Sequence, residues 1–238
     1  MKMKKMIVAS TSTLFGEKFL EYLLPVLKSH FKNVDHLLFI PYARPGGVSF
    51  KKYTQMVREA LKELAIPVTG IHESKDPKSA IENAGAIFIG GGNTFVLLDT
   101  LIRKDLMSVL KTAVENGKPY LGTSAGSNIA GPSVKTTNDM PIVHPDSLDA
   151  LNLIPFNINP HYLDPDPNSK HKGETRETRI REFHVYNSEI VLGLREGSWL
   201  EVNGDDMVLK GGQPVRIFEK DKLPFELDSG GKLSSKIQ

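Results

Sequence analysis

The stretch AIFIGGGNTFVLLDTL, residues 86–101, places a short apolar run before three consecutive glycines and a helical pattern after them. Phe95, Leu98 and Leu101 recur at intervals of three, as residues on one face of an α-helix do. A second stretch, PYLGTSAGSNIAG at residues 119–131, repeats this order of apolar run, small residues and helix-compatible residues. Strands that alternate with helices are typical of a parallel sheet covered by helices.

The rest of the chain extends this pattern. Further strands are predicted at residues 5–9, 37–41, 68–71, 190–194, 199–202, 207–209 and 215–218, and helices at 49–64 and 175–187. The sequence therefore predicts one α/β domain over residues 1–238, with a mostly parallel central sheet flanked by helices. The polar segment from about 221 to 238 is expected to be a loosely ordered tail.

Composition excludes several classes of function. The 238 residues include 30 basic and 28 acidic side chains, a balance that does not favour nucleic acid as the partner. No apolar run approaches the ~20 residues of a membrane helix, and the run after the basic N-terminus is shorter than that of a signal peptide. We therefore expect a soluble, cytoplasmic protein. Since the chain contains no cysteine, covalent catalysis would use serine, threonine, lysine or a carboxylate.

Ser124 is the candidate nucleophile. Residues 122–126, GTSAG, match G-x-S-x-G, in which a tight turn between strand and helix holds a serine hydroxyl outward. The alternative is an ordinary turn of small residues. A reactive serine also needs two N–H donors for an oxyanion, and the Ala125 amide and Gly91 are the candidates. The glycine run could equally be a plain turn before a helix capped by Asn93 or Thr94.

His161 is the candidate base, because it follows a short apolar run and Pro160 at the end of a predicted strand. His144 and His171 are weaker candidates in the same irregular region. The acid that orients the imidazole is either Asp139 or Glu196, both at loop edges, and the sequence does not decide between them. A metal site built from His161, Asp164 and Asp166 lacks any known ligand spacing, so neither a metal nor another cofactor is expected.

Arg176 lies in the first turn of the helix predicted at residues 175–187. A cation is disfavoured there by the helix dipole, so Arg176 is expected to face an anion. The competing interpretation is a surface face stabilised by ion pairs such as Glu177 with Arg181.

Six stretches together resemble peptidase E, the α-aspartyl dipeptidase family of serine exopeptidases that is related to cyanophycinases. They are IGGGNTF, GTSAGSN, TTNDMPIV, INPHY, HKGETRETRIREF and LREGSW, in the family's order. The resemblance implies a fold similar to class I glutamine amidotransferases, with Ser124 as nucleophile and His161 as base. It leaves the acid open between Asp139 and Glu196. The family often has Trp and Ala where this chain has Thr123 and Ser127, two positions expected to lie beside the substrate.

The resemblance further implies that Arg176 binds the side chain of an N-terminal aspartate, and that Asn93 contributes to substrate binding. The expected activity is hydrolysis of Asp-Xaa dipeptides through an acyl-enzyme on Ser124, by a monomer or small homo-oligomer. Alternatives are a cyanophycinase-like enzyme or an esterase on the same scaffold, or a binding module for acidic ligands without catalysis.

Overall fold

The computed structural model describes residues 3–168, 170 and 172–233. Within them the chain forms seven α-helices and eleven strands. The strands are β1 (Lys5–Ala9), β2 (Leu37–Ile40), β3 (Val68–Gly70), β4 (Ala86–Ile89), β5 (Tyr120–Thr123), β6 (Asn157–Pro160), β7 (Val191–Leu194), β8 (Ser198–Asn203), β9 (Asp206–Gly211), β10 (Val215–Phe218) and β11 (Phe225–Leu227). The helices are α1 (Leu24–His30), α2 (Phe50–Ala60), α3 (Pro77–Asn83), α4 (Thr94–Arg103), α5 (Met107–Glu115), α6 (Ala125–Asn128) and α7 (Arg176–Tyr186).

The central sheet has the order β3-β2-β4-β5-β1-β8-β9. Neighbouring strands from β3 to β1 pair in parallel, whereas β8 and β9 are antiparallel additions at one side. The predicted mostly parallel α/β sheet is therefore confirmed. Parallel strands end at the same edge, so the segments after β1, β4 and β5 lie close together, and ligands bind at that edge in open α/β sheets.

Helices cover both faces of the central sheet. Along β1, Met6 and Val8 pack into one apolar cluster, while Ile7 and Ala9 pack into the other. The first cluster includes buried side chains of α3, α4 and α5, and the second those of α1 and α2. Because both faces are buried, the inner strands are continuous apolar runs.

A second sheet has the order β11-β10-β7-β6. β6 and β7 run parallel, and their register pairs Pro160 with Leu194. This pairing brings the residues that follow each strand to one place, although 33 positions separate Pro160 from Leu194 along the chain. Helix α7 packs on one face of this sheet through Ile180 and Phe183.

The expectation of a loose tail is wrong for residues 225–233. Strand β11 pairs antiparallel with β10, and Leu233 is fully buried in the larger apolar cluster. Phe225 and Leu227, on the same face of β11, pack against that cluster. Burial of these two apolar side chains stabilises a segment whose overall composition is polar. Residues 234–238 lie outside the described part of the chain. Within the described part, no helix combines the length and the hydropathy needed to cross a lipid bilayer.

Candidate active site

Ser124 lies between β5 and α6 with φ 52° and ψ −108°, a backbone conformation that a non-glycine residue rarely adopts. The turn is tight because small residues surround it. A Cβ at Gly126 would lie 2.1 Å from the Ile89 carbonyl oxygen, and one at Gly122 would lie 2.5 Å from the Gly126 carbonyl oxygen. The Ser124 N–H donates to the Ala9 carbonyl at 3.1 Å. These contacts hold the serine in the geometry of a strand-to-helix elbow.

His161 directly follows β6 and reaches Ser124 across the space between the two sheets. Its Nε2 lies 2.9 Å from Ser124 Oγ, and its Nδ1 lies 2.6 Å from Glu196 Oε1. The His161 backbone also has a positive φ, 52°. Its N–H donates to Ser10 Oγ at 2.9 Å, and Ser10 Oγ donates to the Leu194 carbonyl at 2.7 Å. Ser10 thus joins the ends of β1, β6 and β7.

The partners of the imidazole determine which nitrogen carries the proton. An ionised carboxylate can only accept, so Nδ1 of a neutral His161 donates to Glu196. Nε2 is then unprotonated and accepts the hydroxyl hydrogen of Ser124. The line Ser124, His161, Glu196 is the arrangement in which a histidine removes a proton from serine.

Asp139, the other candidate acid, lies at the N-terminus of α4 and does not bond His161 among the described residues. Its Oδ2 accepts from the Thr94 N–H at 2.8 Å and from Thr137 Oγ1 at 3.0 Å. Asn128 Nδ2 donates to the hydroxyls of both threonines. Asp139 therefore ties its own loop to the N-terminus of α4, where a negative charge is stabilised by the helix dipole. Among the described residues, Glu196 is the carboxylate that bonds His161.

Two unpaired amides lie near the serine. Gly91 contacts Ser124 so closely that a Cβ on Gly91 would be 3.1 Å from Ser124 Cβ. Within the described residues, the N–H groups of Gly91 and Ala125 have no acceptor. Asn93 caps α4, since its Oδ1 accepts from the Val96 N–H, and its Nδ2 donates to the Met140 carbonyl. The capping role of Asn93 and the candidate oxyanion donor Gly91 thus coexist in one glycine turn, while the other candidate donor, Ala125, is the first residue of α6.

Arg176 is the first residue of α7 and lines a surface pocket of about 470 Å³ together with Asp164, Asp166 and Arg179. In the described part of the chain, Arg176 forms no hydrogen bond or ion pair with another side chain. Burial lowers its pKa, and neighbouring Arg179 adds to this effect while Asp139 opposes it. A guanidinium that is partly desolvated and lacks a partner is suited to an anionic ligand. On the same helix, Glu177 pairs with Arg181 at 2.7 Å, as the surface interpretation expected.

The weaker candidates lie elsewhere. His144 is exposed, and His171 lies outside the described residues. The metal interpretation gains no support, because both carboxylate oxygens of Asp164 accept from Arg195. Among the described residues there is no cluster of three or more histidine or acidic side chains that could hold a metal ion.

Comparison with known protein families shows which family the chain belongs to. The sequence model of peptidase family S51 matches residues 6–210, well over half of the sequence. The chain belongs to peptidase family S51. The family predicted from the six motifs is thereby confirmed.

Relatives in this family match almost the whole chain. A protein named peptidase E from Streptomyces coelicolor is 49% identical over 229 residues, covering 96% of this chain and 93% of that protein. A probable alpha-aspartyl dipeptidase from Drosophila melanogaster is 45% identical over 227 residues, covering 94% and 93%. The crystal structure of a peptidase from an acI-B1 Actinobacterium shares the fold, with a TM-score of 0.74 and 18% identity over 97% of this chain and 96% of that one.

The resemblance placed Thr123 and Ser127 beside the substrate, because the family pattern differs at these two positions. The structure does not support this expectation. Both side chains are fully buried. Ser127 Oγ lies 2.6 Å from the Ala9 carbonyl and 2.9 Å from the Gly122 carbonyl, so it fastens α6 to the ends of β1 and β5. Thr123 Oγ1 is buried with no hydrogen-bond partner among the described residues. We therefore expect Thr123 and Ser127 to affect the stability of the elbow.

Replacement of Thr123 by valine is expected to stabilise the protein by ~1 kcal/mol, because it removes a buried hydroxyl that has no partner. Urea unfolding of the variant and the wild type measures this difference. Thr54→Val is the matched control, since the buried Thr54 hydroxyl donates to the Phe50 carbonyl at 2.8 Å, and its loss should destabilise. If Thr123→Val lowered the free energy of unfolding as much as Thr54→Val, the Thr123 hydroxyl would have a hydrogen-bond partner, contrary to this prediction.

Sequence reasoning missed three residues that shape the candidate site: Ser10, Arg44 and Tyr53. Ser10 holds the His161 N–H, while Arg44 and Tyr53 both bond the Gly91 carbonyl. Ser10 could have been found, because it directly follows β1 at the same sheet edge as Ser124. Arg44 and Tyr53 carried no signal, since neither belongs to a catalytic motif.

Proposed function

We propose that this chain is a serine dipeptidase that hydrolyses Asp-Xaa dipeptides through an acyl-enzyme on Ser124. The observation that carries the proposal is the hydrogen-bonded line from Ser124 through His161 to Glu196, beside two amides that have no acceptor in the described part of the chain. The name of the Drosophila relative, a probable alpha-aspartyl dipeptidase, agrees with this substrate, and the name of the Streptomyces relative agrees with a peptidase. Ser124, His161 and Glu196 are the proposed catalytic residues, with Gly91 and Ala125 as the oxyanion donors.

The proposed reaction begins when Ser124 Oγ attacks the carbonyl carbon of the aspartyl residue. The hydroxyl proton moves to His161 Nε2, and Glu196 stabilises the imidazolium. The carbonyl oxygen becomes an oxyanion that accepts the N–H groups of Gly91 and Ala125. When the C–N bond breaks, His161 returns the proton to the leaving amine, and an aspartyl ester remains on Ser124. Water, deprotonated by His161, then attacks the ester carbon. The bond to Ser124 Oγ breaks, His161 returns the proton to that oxygen, and free aspartate is released.

Arg176 is the proposed receptor for the aspartyl side chain. A guanidinium can bind a carboxylate with two parallel hydrogen bonds, and a neutral side chain would leave it desolvated and unpaired. Asn93 keeps one Nδ2 hydrogen beyond its bond to the Met140 carbonyl, and this is the group it would offer to the substrate.

The test of this specificity compares kcat/KM of Arg176→Met and of the wild type on a panel of dipeptides. For Asp-Leu, kcat/KM is expected to fall about a hundredfold, because a charged hydrogen-bonded pair is lost. The rates for Asn-Leu and Leu-Leu, which we expect to be low already in the wild type, should change little. Arg179→Met is the matched control, because Arg179 lines the same pocket but is more exposed. Its Nε also lies 3.8 Å from Glu174 Oε2, so it already has an anionic partner. Equal wild-type rates for Asp-Leu and Leu-Leu would refute the role of Arg176, and cleavage confined to β-linked aspartyl peptides would indicate a cyanophycinase-like enzyme.

We further propose that the protein is located in the cytoplasm and that it is a monomer or a small homo-oligomer. Size-exclusion chromatography with light scattering measures the assembly.

A further inference from the structure

The carbonyl oxygen of Gly91 is held by two side chains from a neighbouring part of the fold. Tyr53, on α2, donates its hydroxyl to this oxygen at 3.2 Å, and Arg44, in the loop after β2, donates its Nε–H at 3.1 Å. The Arg44 guanidinium also lies over the Tyr53 ring, 5.0 Å from its centroid. Neither residue bonds Ser124, His161 or Glu196, so neither belongs to the catalytic line.

A run of three glycines would otherwise leave this turn free to rotate. Glycine has no Cβ and adopts many backbone conformations, so peptide planes in such a run turn easily. If the Gly91 carbonyl turned toward Ser124, its negative end would lie where the oxyanion must form. That rotation would repel the developing charge instead of stabilising it.

The surroundings favour one orientation of the turn. Residues 90–93 rest on the segment after β2, where the Asn93 N–H donates to the Ala43 carbonyl at 2.7 Å and a Cβ at Gly92 would lie 2.2 Å from that oxygen. No peptide bond in the described chain is cis, so the Gly92 N–H points opposite to the Gly91 carbonyl. Anchoring the Gly91 carbonyl on Tyr53 and Arg44 therefore fixes the peptide plane between Gly91 and Gly92. The candidate donor, the Gly91 N–H, belongs to the preceding plane, so the anchor acts by keeping the carbonyl dipole out of the space beside that N–H.

Tyr53 is a rigid and neutral donor. Its side chain is 1% exposed, and its ring packs edge-on against Phe39 with centroids 4.8 Å apart. Burial raises its pKa, so the hydroxyl keeps its proton. We propose that Tyr53 and Arg44 are positioning residues that hold the Gly91 carbonyl away from Ser124, and so keep the oxyanion site formed before substrate binds. This inference rests on the proposed function.

The test compares Tyr53→Phe, Arg44→Met and the double variant with the wild type. Each single change is expected to lower kcat for Asp-Leu about tenfold and to change KM less than threefold, because the anchor acts on the transition state. Since both donors hold one oxygen, their effects should not multiply independently in the double variant. Tyr42→Phe is the matched control, because the nearby Tyr42 is also buried but does not bond Gly91 within the described residues.

A second measurement separates positioning from simple loss of folded enzyme. An aspartyl diphenyl phosphonate labels the reactive serine, and its phosphonyl oxygen needs the same donors as the oxyanion. Its labelling rate should fall in parallel with kcat, while the final extent of labelling stays near that of the wild type. Unchanged kcat in both single variants, or a loss explained wholly by fewer labelled molecules, would overturn the positioning role. Failure of the wild type itself to be labelled or to cleave Asp-Leu would instead refute the proposed function, and the inference with it.

Discussion

Replacement of Ser124 by alanine is expected to lower kcat for Asp-Leu by at least ~10⁴-fold while leaving its dissociation constant within about threefold of the wild-type KM. Alanine cannot form the acyl-enzyme, but it keeps the Cβ that packs against Gly91. The Gly91 and Ala125 amides and Arg176 remain, so the dipeptide should still bind. Steady-state kinetics and calorimetric titration with Asp-Leu measure the two quantities.

Ser127→Ala is the matched control for this prediction. Ser127 lies one turn further along, and its hydroxyl bonds the Ala9 and Gly122 carbonyls instead of His161. Its loss should lower stability and leave kcat within about tenfold of the wild type. Phosphonate labelling that persists in Ser124→Ala, or turnover above about 1% of the wild type, would contradict the assignment of the nucleophile.

Glu196→Gln is expected to lower kcat by about 10³- to 10⁴-fold, with little change in KM. The glutamine amide can donate to His161 Nδ1, which moves the imidazole proton to Nε2. A protonated Nε2 cannot accept the hydrogen of Ser124, so the neutral histidine loses its function as a base. The measurement is kcat at saturating Asp-Leu.

Asp139→Asn is the comparison that decides which acid serves His161. An amide oxygen can still accept from the Thr94 N–H, but the charge at the N-terminus of α4 is lost. We expect a loss of stability of ~1 kcal/mol and a fall in kcat of less than about tenfold. The reverse order of the two kcat losses would return the role of the acid to Asp139.

Local pattern was enough to predict much of the fold. The short apolar run of β1 and the two stretches of strand, glycine and helix predicted the parallel sheet and the elbow at Ser124. Tail strand β11 was missed because it is three residues long and depends on pairing with β10. A short strand has little periodicity of its own, so only its partner reveals it.

The choice between Asp139 and Glu196 could not be made from sequence, because both follow loop edges that look alike. Two long-range facts separate them. The register of β6 with β7 brings Glu196 beside His161, and the N-terminus of α4 engages Asp139 instead. Neither strand register nor helix placement is encoded in the few residues around each acid.

The Ser10 bridge has a mechanical consequence. His161 and Glu196 are carried by β6 and β7, adjacent strands of one sheet, whereas Ser124 belongs to the other. Sliding of one sheet over the other would stretch the distance between serine and imidazole and leave the imidazole beside its carboxylate. Ser10 directly follows β1, and its hydroxyl bonds the backbone of both His161 and Leu194. These two hydrogen bonds oppose that sliding. The Ser10 hydroxyl thus adds a polar link to the apolar cluster that both sheets share, at the point where the distance from serine to imidazole is set.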